Sequence, residues 1–159
     1  MLSEQIKALL ARHAPVCRTT HENLVLDRPD GTIAYQIYTH ANMTATQEDY
    51  PPMLVYFDLV AKLITVQTFE CFKREFHLDA DLTLQGYCAG KQFDVSPVVP
   101  GLLFKHHKGN HYELLCLSDG DQRPTVAVYR DVMTRAIYAR ELNVFLQKFS
   151  PEFDLSVLE

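Results

Sequence analysis

The stretch LLFKHHKGNHYELLCL, residues 102–117, governs how the rest of the chain is read. Leu102 to Lys105 and His111 to Leu117 have the look of strands. Lys108-Gly109-Asn110 lies between them, and a glycine there supplies the positive φ that a tight hairpin turn needs. Two more strand-like runs follow, Thr125–Arg130 and Arg135–Arg140, set off by the turn sequence Ser118-Asp119-Gly120-Asp121. Leu142, Phe145 and Phe149 then recur at helical spacing before Pro151. Residues 101–149 therefore predict a small, strongly bent antiparallel β-sheet.

Working back toward the N-terminus, Gly86, Gly90, Pro97, Pro100 and Gly101 mark a linker, preceded by a weakly alternating strand at Leu82–Cys88. Leu63, Val66, Phe69, Phe72 and Phe76 recur at spacings of three and four, with Lys73, Arg74 and His77 at the far end. The pattern predicts one long helix from about Tyr56 to His77, against the β-branched run Ile64-Thr65-Val66. Residues 39–52 are polar and aperiodic and are expected to form a loop.

Asn23 to Tyr38 alternates with period two around Arg28-Pro29-Asp30-Gly31, which predicts a β-hairpin. At the start, Ser3 as N-cap, Glu4 in the first turn, and Ile6, Leu9, Leu10 and His13 on one face predict a short amphipathic helix ending before Pro15. The fold class expected is α+β. Residues 1–100 form an α+β region with a hairpin and a long helix, 101–149 a small β domain, and 150–159 an acidic tail.

Composition sets limits on function. Of 159 residues 47% are hydrophobic, enough for a real core, and no run of about 18 apolar residues could span a membrane. The start lacks the order of an export signal, so a soluble, cytoplasmic protein is expected. Cys17, Cys71, Cys88 and Cys116 are widely scattered, which predicts buried thiols rather than disulfides, zinc ligands or activated nucleophiles. Residues 101–149 hold seven basic and five acidic side chains within a chain of net charge −5. That local excess is too small for general nucleic-acid binding, which needs a basic stripe able to displace several counterions.

The chemistry-bearing residues gather in the same segment. His106, His107 and His111 invite a metal reading, but His107 should point to the opposite face of a strand from His106. No carboxylate or thiol is close enough in sequence to complete a set, so no metal site and no cofactor are expected. Lys108 beside Gly109 joins an ammonium to exposed backbone N–H groups, a combination that cradles anions. Arg130 and Arg140 end successive strands, and Tyr112 and Tyr129 offer stacking surfaces. If those strands are neighbours, His106, Lys108, Tyr112, Tyr129, Arg130 and Arg140 share one ligand site. Otherwise they are rim charges paired with Glu113, Asp131 and Glu141. Asp79 with Asp81 and Asp119 with Asp121 lie in turns and are read as backbone caps.

The run from Phe104 through Lys108-Gly109 to Tyr112, then Val128-Tyr129-Arg130, then Tyr138-Ala139-Arg140 with Phe145, resembles the small bacterial domain of unknown function 1653. His107 stands where tyrosine is usual in that family, and Glu141 where proline is usual. The resemblance covers about 50 residues and implies a compact unit of SH3-like barrel type, without implying an activity. Three functions remain open. The first is a non-enzymatic module binding a small anionic or nucleotide-like ligand. The second is an enzyme acting on a small phosphorylated or nucleotide-like compound, with His106 as general acid or base. The third is an assembly protein using Tyr50, Pro51, Pro52 and Met53 to reach an unidentified protein partner.

Overall fold

The computed structural model describes residues 2–11, 25–27, 34–43, 52–58, 63–89, 97, 99, 101–118 and 124–154. The segment expected to be one helix crosses three elements: β3 (Met53–Asp58), β4 (Leu63–Thr68) and α2 (Phe69–Glu75). β3 and β4 pair antiparallel with six residues in register, so Ile64-Thr65-Val66 takes the extended form its branching favours. Thr68 ends the strand and caps the helix, its hydroxyl accepting the Cys71 N–H at 3.2 Å. The apolar spacing that imitates a continuous helix runs across this junction.

Other elements correct the sequence expectation locally. Leu84–Cys88 is a short helix, α3, rather than a strand, with Thr83 capping it by accepting the Gly86 N–H at 2.9 Å. The predicted hairpin is present as β1 (Val25–Asp27) against β2 (Ala34–Met43), while its turn lies outside the described residues. β2 continues through Thr39 to Met43, into the expected loop, because β3 supplies a partner as far as Ala41. The first helix, α1 (Leu2–Ala11), buries Ile6, Leu9 and Leu10 as expected, and Ser3 lies within it. His13 and Pro15 are outside the described residues, as is most of the expected linker and of the 118–121 turn.

The C-terminal elements follow the predicted order: β5 (Leu103–His106), β6 (His111–Leu117), β7 (Val126–Asp131), β8 (Ile137–Glu141) and α4 (Leu142–Lys148). Gly109, at φ 109°, makes the β5–β6 turn. A further strand, β9 (Phe149–Pro151), pairs with β5 and runs across the boundary placed at residue 150. Phe153 packs on Phe104 with ring centroids 5.4 Å apart, so the chain stays on the sheet beyond β9.

The described strands run in the order β4-β3-β2-β8-β7-β6-β5-β9, with β1 beside β2. The halves join where β2 pairs parallel with β8, at Asn42↔Tyr138 and Met43↔Ala139. Three buried clusters result. α2 and α3 cover one face of the N-terminal strands, with Phe69, Phe72, Phe76 and Tyr87 on Ile37, Leu54 and Tyr56. α1 and α4 cover one face of the C-terminal strands, around Phe104, Tyr129, Phe145 and Phe149. The third cluster lies between the halves, where Val55, Ile64 and Val66 meet Leu115, Cys116, Val128 and Ala139. A bulge in β6 between Leu114 and Cys116 lets the adjacent Leu115 and Cys116 both face that layer.

Lys73, on α2, is buried and still fully employed. Its ammonium donates to the carbonyls of Ala80 at 2.8 Å and Leu82 at 2.9 Å, lies 3.0 Å from the Glu70 carboxylate and sits over the Phe69 ring. It ties the 78–83 segment back onto the helix. Lys73→Ala strands two carbonyls and should cost about 2 kcal/mol in urea unfolding. No helix among the described residues is long and apolar enough to cross a membrane.

Candidate functional site

Alternation along the strands divides the expected site residues between two faces. On β7, Ala127 and Tyr129 point toward α1 and α4, and Val128 points toward the layer between the halves. Arg130 follows Val128 to that second side. There it meets its cross-strand neighbour Glu113, with Nη2 3.1 Å from a carboxylate oxygen. Arg140 pairs across β7–β8 with Ala127, whereas Arg130 pairs with Ile137. Successive antiparallel strands end at opposite ends of their hairpin, so Arg130 and Arg140 are not brought together.

The other five expected residues do share a neighbourhood. Phe149 is its centre: the His106 ring meets it edge-on at 4.8 Å, Tyr112 at 5.1 Å and Tyr129 at 5.2 Å. The Arg140 guanidinium carbon lies 5.9 Å from the same ring. Tyr129 and Phe149 are buried and form a floor, while His106, Tyr112 and Arg140 are half-buried and form a rim. Tyr138 belongs to that rim, 6.3 Å from Tyr112 and 5.9 Å from Tyr129. It was missed in the sequence, although it lies two residues before Arg140 on one strand and so shares its face.

The β5–β6 turn supplies the charge. Lys108 donates its backbone N–H to His106 Nδ1 at 3.1 Å, and Gly109 donates to the His106 carbonyl at 2.8 Å. With Nδ1 accepting, the neutral ring carries its proton on Nε2 and keeps one donor. His107 does not point away from His106 as an extended strand would require. The chain is already turning there, and the two rings are 4.1 Å apart. The His107 N–H donates to the Lys148 carbonyl at 3.1 Å, which brings the end of α4 up to the turn.

Burial first, and then the positive charge of His107, Arg140, Lys108 and Lys148, holds His106 below the ordinary histidine value of 6.5. Burial, then Tyr112 and Asp131, pushes the Tyr138 phenol up. The result is an aromatic surface edged by cations on the β5, β8 and α4 sides. His111, one strand over, is engaged separately by Glu152.

His40, on β2, is likewise held below 6.5, by burial. An unfolded chain therefore takes up protons on both imidazoles before the folded one does, and stability must fall as pH drops from near 6.5 through the folded-state values. Urea midpoints at pH 7 and pH 5 should differ less in His40→Gln and His106→Gln than in the unaltered protein.

Among the described residues no three His, Cys, Asp or Glu side chains are grouped to hold a metal ion. Residues 102–152 match the model of a family described as a protein of unknown function, DUF1653. That span begins at the residue before β5 and ends at the residue after β9, and so contains every element of the aromatic and cationic face. Comparison with curated proteins and with solved structures returned no match.

Proposed function

We propose that the C-terminal unit is a non-enzymatic module that binds a small anionic, planar ligand of nucleotide-like chemistry on the face built around Phe149. The observation that carries this reading is the placement of Arg140 over the Phe149 ring and of Lys108 in the turn that holds His106 against the same ring, beside Tyr112 and Tyr138. Cations held close together favour an anion that neutralises them, and half-exposed aromatic rings offer a planar body somewhere to stack. Fold supports the reading as a scaffold. Five strands in the order β8-β7-β6-β5-β9, with a helical turn before the strand that returns to β5, have the connectivity of an SH3-like barrel. A cytoplasmic setting belongs to the same reading, since the described cysteines carry thiols rather than disulfides.

The depressed His106 makes the test specific. A bound anion must raise its pKa, because the cations that depress it are then partly neutralised. Screening nucleotides and simple organic anions by thermal shift, then titrating His106 by NMR with and without each hit, should show a higher melting temperature and a raised His106 pKa together. Arg140→Ala should weaken the hit about tenfold, and Arg130→Ala, on the other face, should leave it unchanged. A hit that stabilises the protein without moving His106, or that is indifferent to Arg140→Ala, would place binding elsewhere.

A further inference from the structure

Away from that face, the N-terminal half carries an open surface pocket of about 560 Å³ lined, among the described residues, by His40, Pro52, Leu84, Gln85, Cys88 and Ala89. Its lining holds a thiol beside an imidazole: Cys88 Sγ is 3.9 Å from His40 Nδ1. The two come from α3 and β2 and are 48 positions apart, so no local motif could announce them. We propose that Cys88 and His40 form a thiol-exchange site, at which Cys88 reacts with a small disulfide of uncharged, apolar body.

Three features support the assignment. The thiol and imidazole are within reach of an S–H···N contact, and both line the pocket, Cys88 from the margin of the core that α2 and α3 build. Pro52, Leu84 and Ala89 make the walls apolar and Gln85 adds an uncharged amide, so among the described residues no acidic or strongly basic side chain lines the space to select a charged ligand. The thiol is also well placed, because α3 is pinned by the Thr83 cap and by Tyr87, whose ring packs 5.6 Å from Phe69 and 5.9 Å from Phe72. Burial keeps His40 neutral near pH 7, the form that accepts a proton.

In the reaction the Cys88 thiol gives its proton to His40, and the thiolate attacks one sulfur of the incoming disulfide. A bond forms between Cys88 Sγ and that sulfur as the original S–S bond breaks. The departing thiolate leaves with the electron pair and takes the proton from the His40 imidazolium. The disulfide is the oxidant, Cys88 ends as a mixed disulfide, and one thiol is released.

The protein contains its own controls. Cys116 is fully buried in the layer between the halves, and Cys71 is half-buried at the surface of α2, where Arg74 Nη2 donates to its sulfur at 3.3 Å. With 4,4′-dithiodipyridine as the probe, pyridinethione release gives the overall rate, and peptide mass mapping at timed quenches assigns it to each cysteine. Cys88 is expected to react about tenfold faster than Cys71, and His40→Gln should slow Cys88 about tenfold while leaving Cys71 alone. Leu84→Phe, which narrows the pocket and keeps the Cys88–His40 pair, should slow Cys88 with this aromatic probe and not Cys71. Equal rates at Cys88 and Cys71, or a Cys88 rate unchanged in His40→Gln, would overturn the proposal. If His40→Gln does not fold, an unchanged Cys88 rate in Leu84→Phe would do so instead.

Discussion

Phe145→Ala is expected to destabilise the protein by about 4 kcal/mol, enough to remove a large part of the roughly 5–15 kcal/mol that holds an ordinary domain together. Phe145 is fully buried and touches the aromatic core from several sides. Its ring stacks on Phe149 at 4.3 Å and 18°, meets Phe104 edge-on at 4.9 Å and lies 4.8 Å from Tyr129. The alanine would leave a cavity whose walls are held by strands on one side and by α4 on the other, with little room to collapse. Because Phe149 also underlies His106 and Arg140, the loss should extend to the proposed ligand face. Urea unfolding followed by circular dichroism would give the stability change, since the chain has no tryptophan to report it. A cost under about 1 kcal/mol would mean that α4 does not hold this core together.

Leu115→Asp should be at least as damaging, and for a different reason. Leu115 is fully buried in the layer where β6, β7 and β8 meet β3 and β4. A carboxylate there would sit among apolar side chains, and Arg130 on the same side of the sheet is already paired with Glu113, so the new buried charge should cost about 3–5 kcal/mol before the lost apolar contacts are added. The informative readout is hydrogen exchange. If the layer couples the two halves, amides of β3 and β4 should lose protection along with those of β6 and β7. Protection retained in β3 and β4 while β6 and β7 exchange freely would show two independently stable units divided near residue 100.

The C-terminal unit was legible because its signals are local. Gly109 marks a turn, the strands alternate around it, and Leu142 with Phe145 falls on one helical face. β9 was hidden, since three residues carry no period and their partner strand lies more than 40 positions earlier. The N-terminal half misled at Leu63–Phe76, where apolar spacing suited a helix and only Thr68 and the branched run before it betrayed a strand-to-cap junction. Of the candidate residues, Arg140 lies over Phe149 on the side of the sheet that carries His106, while Arg130, which shares with it only a position at a strand end, lies on the other side. Pairing register decides that question, and register is not written in either residue. Cys88 and His40 were illegible for the same reason, being joined only by the tertiary fold.

The two-residue parallel pairing of β2 with β8 has a consequence for how such a unit can exist in company. β8 is the last strand of the family-matched span on that side, and the flank it offers to β2 would otherwise be a raw margin of backbone donors and acceptors. Beside it lie Leu115, Cys116, Val128 and Ala139, oily on their outward side until β3 and β4 cover them. β2, β3 and β4 thus act as a sheath, turning a surface prone to clinging to its own copies into an interior wall.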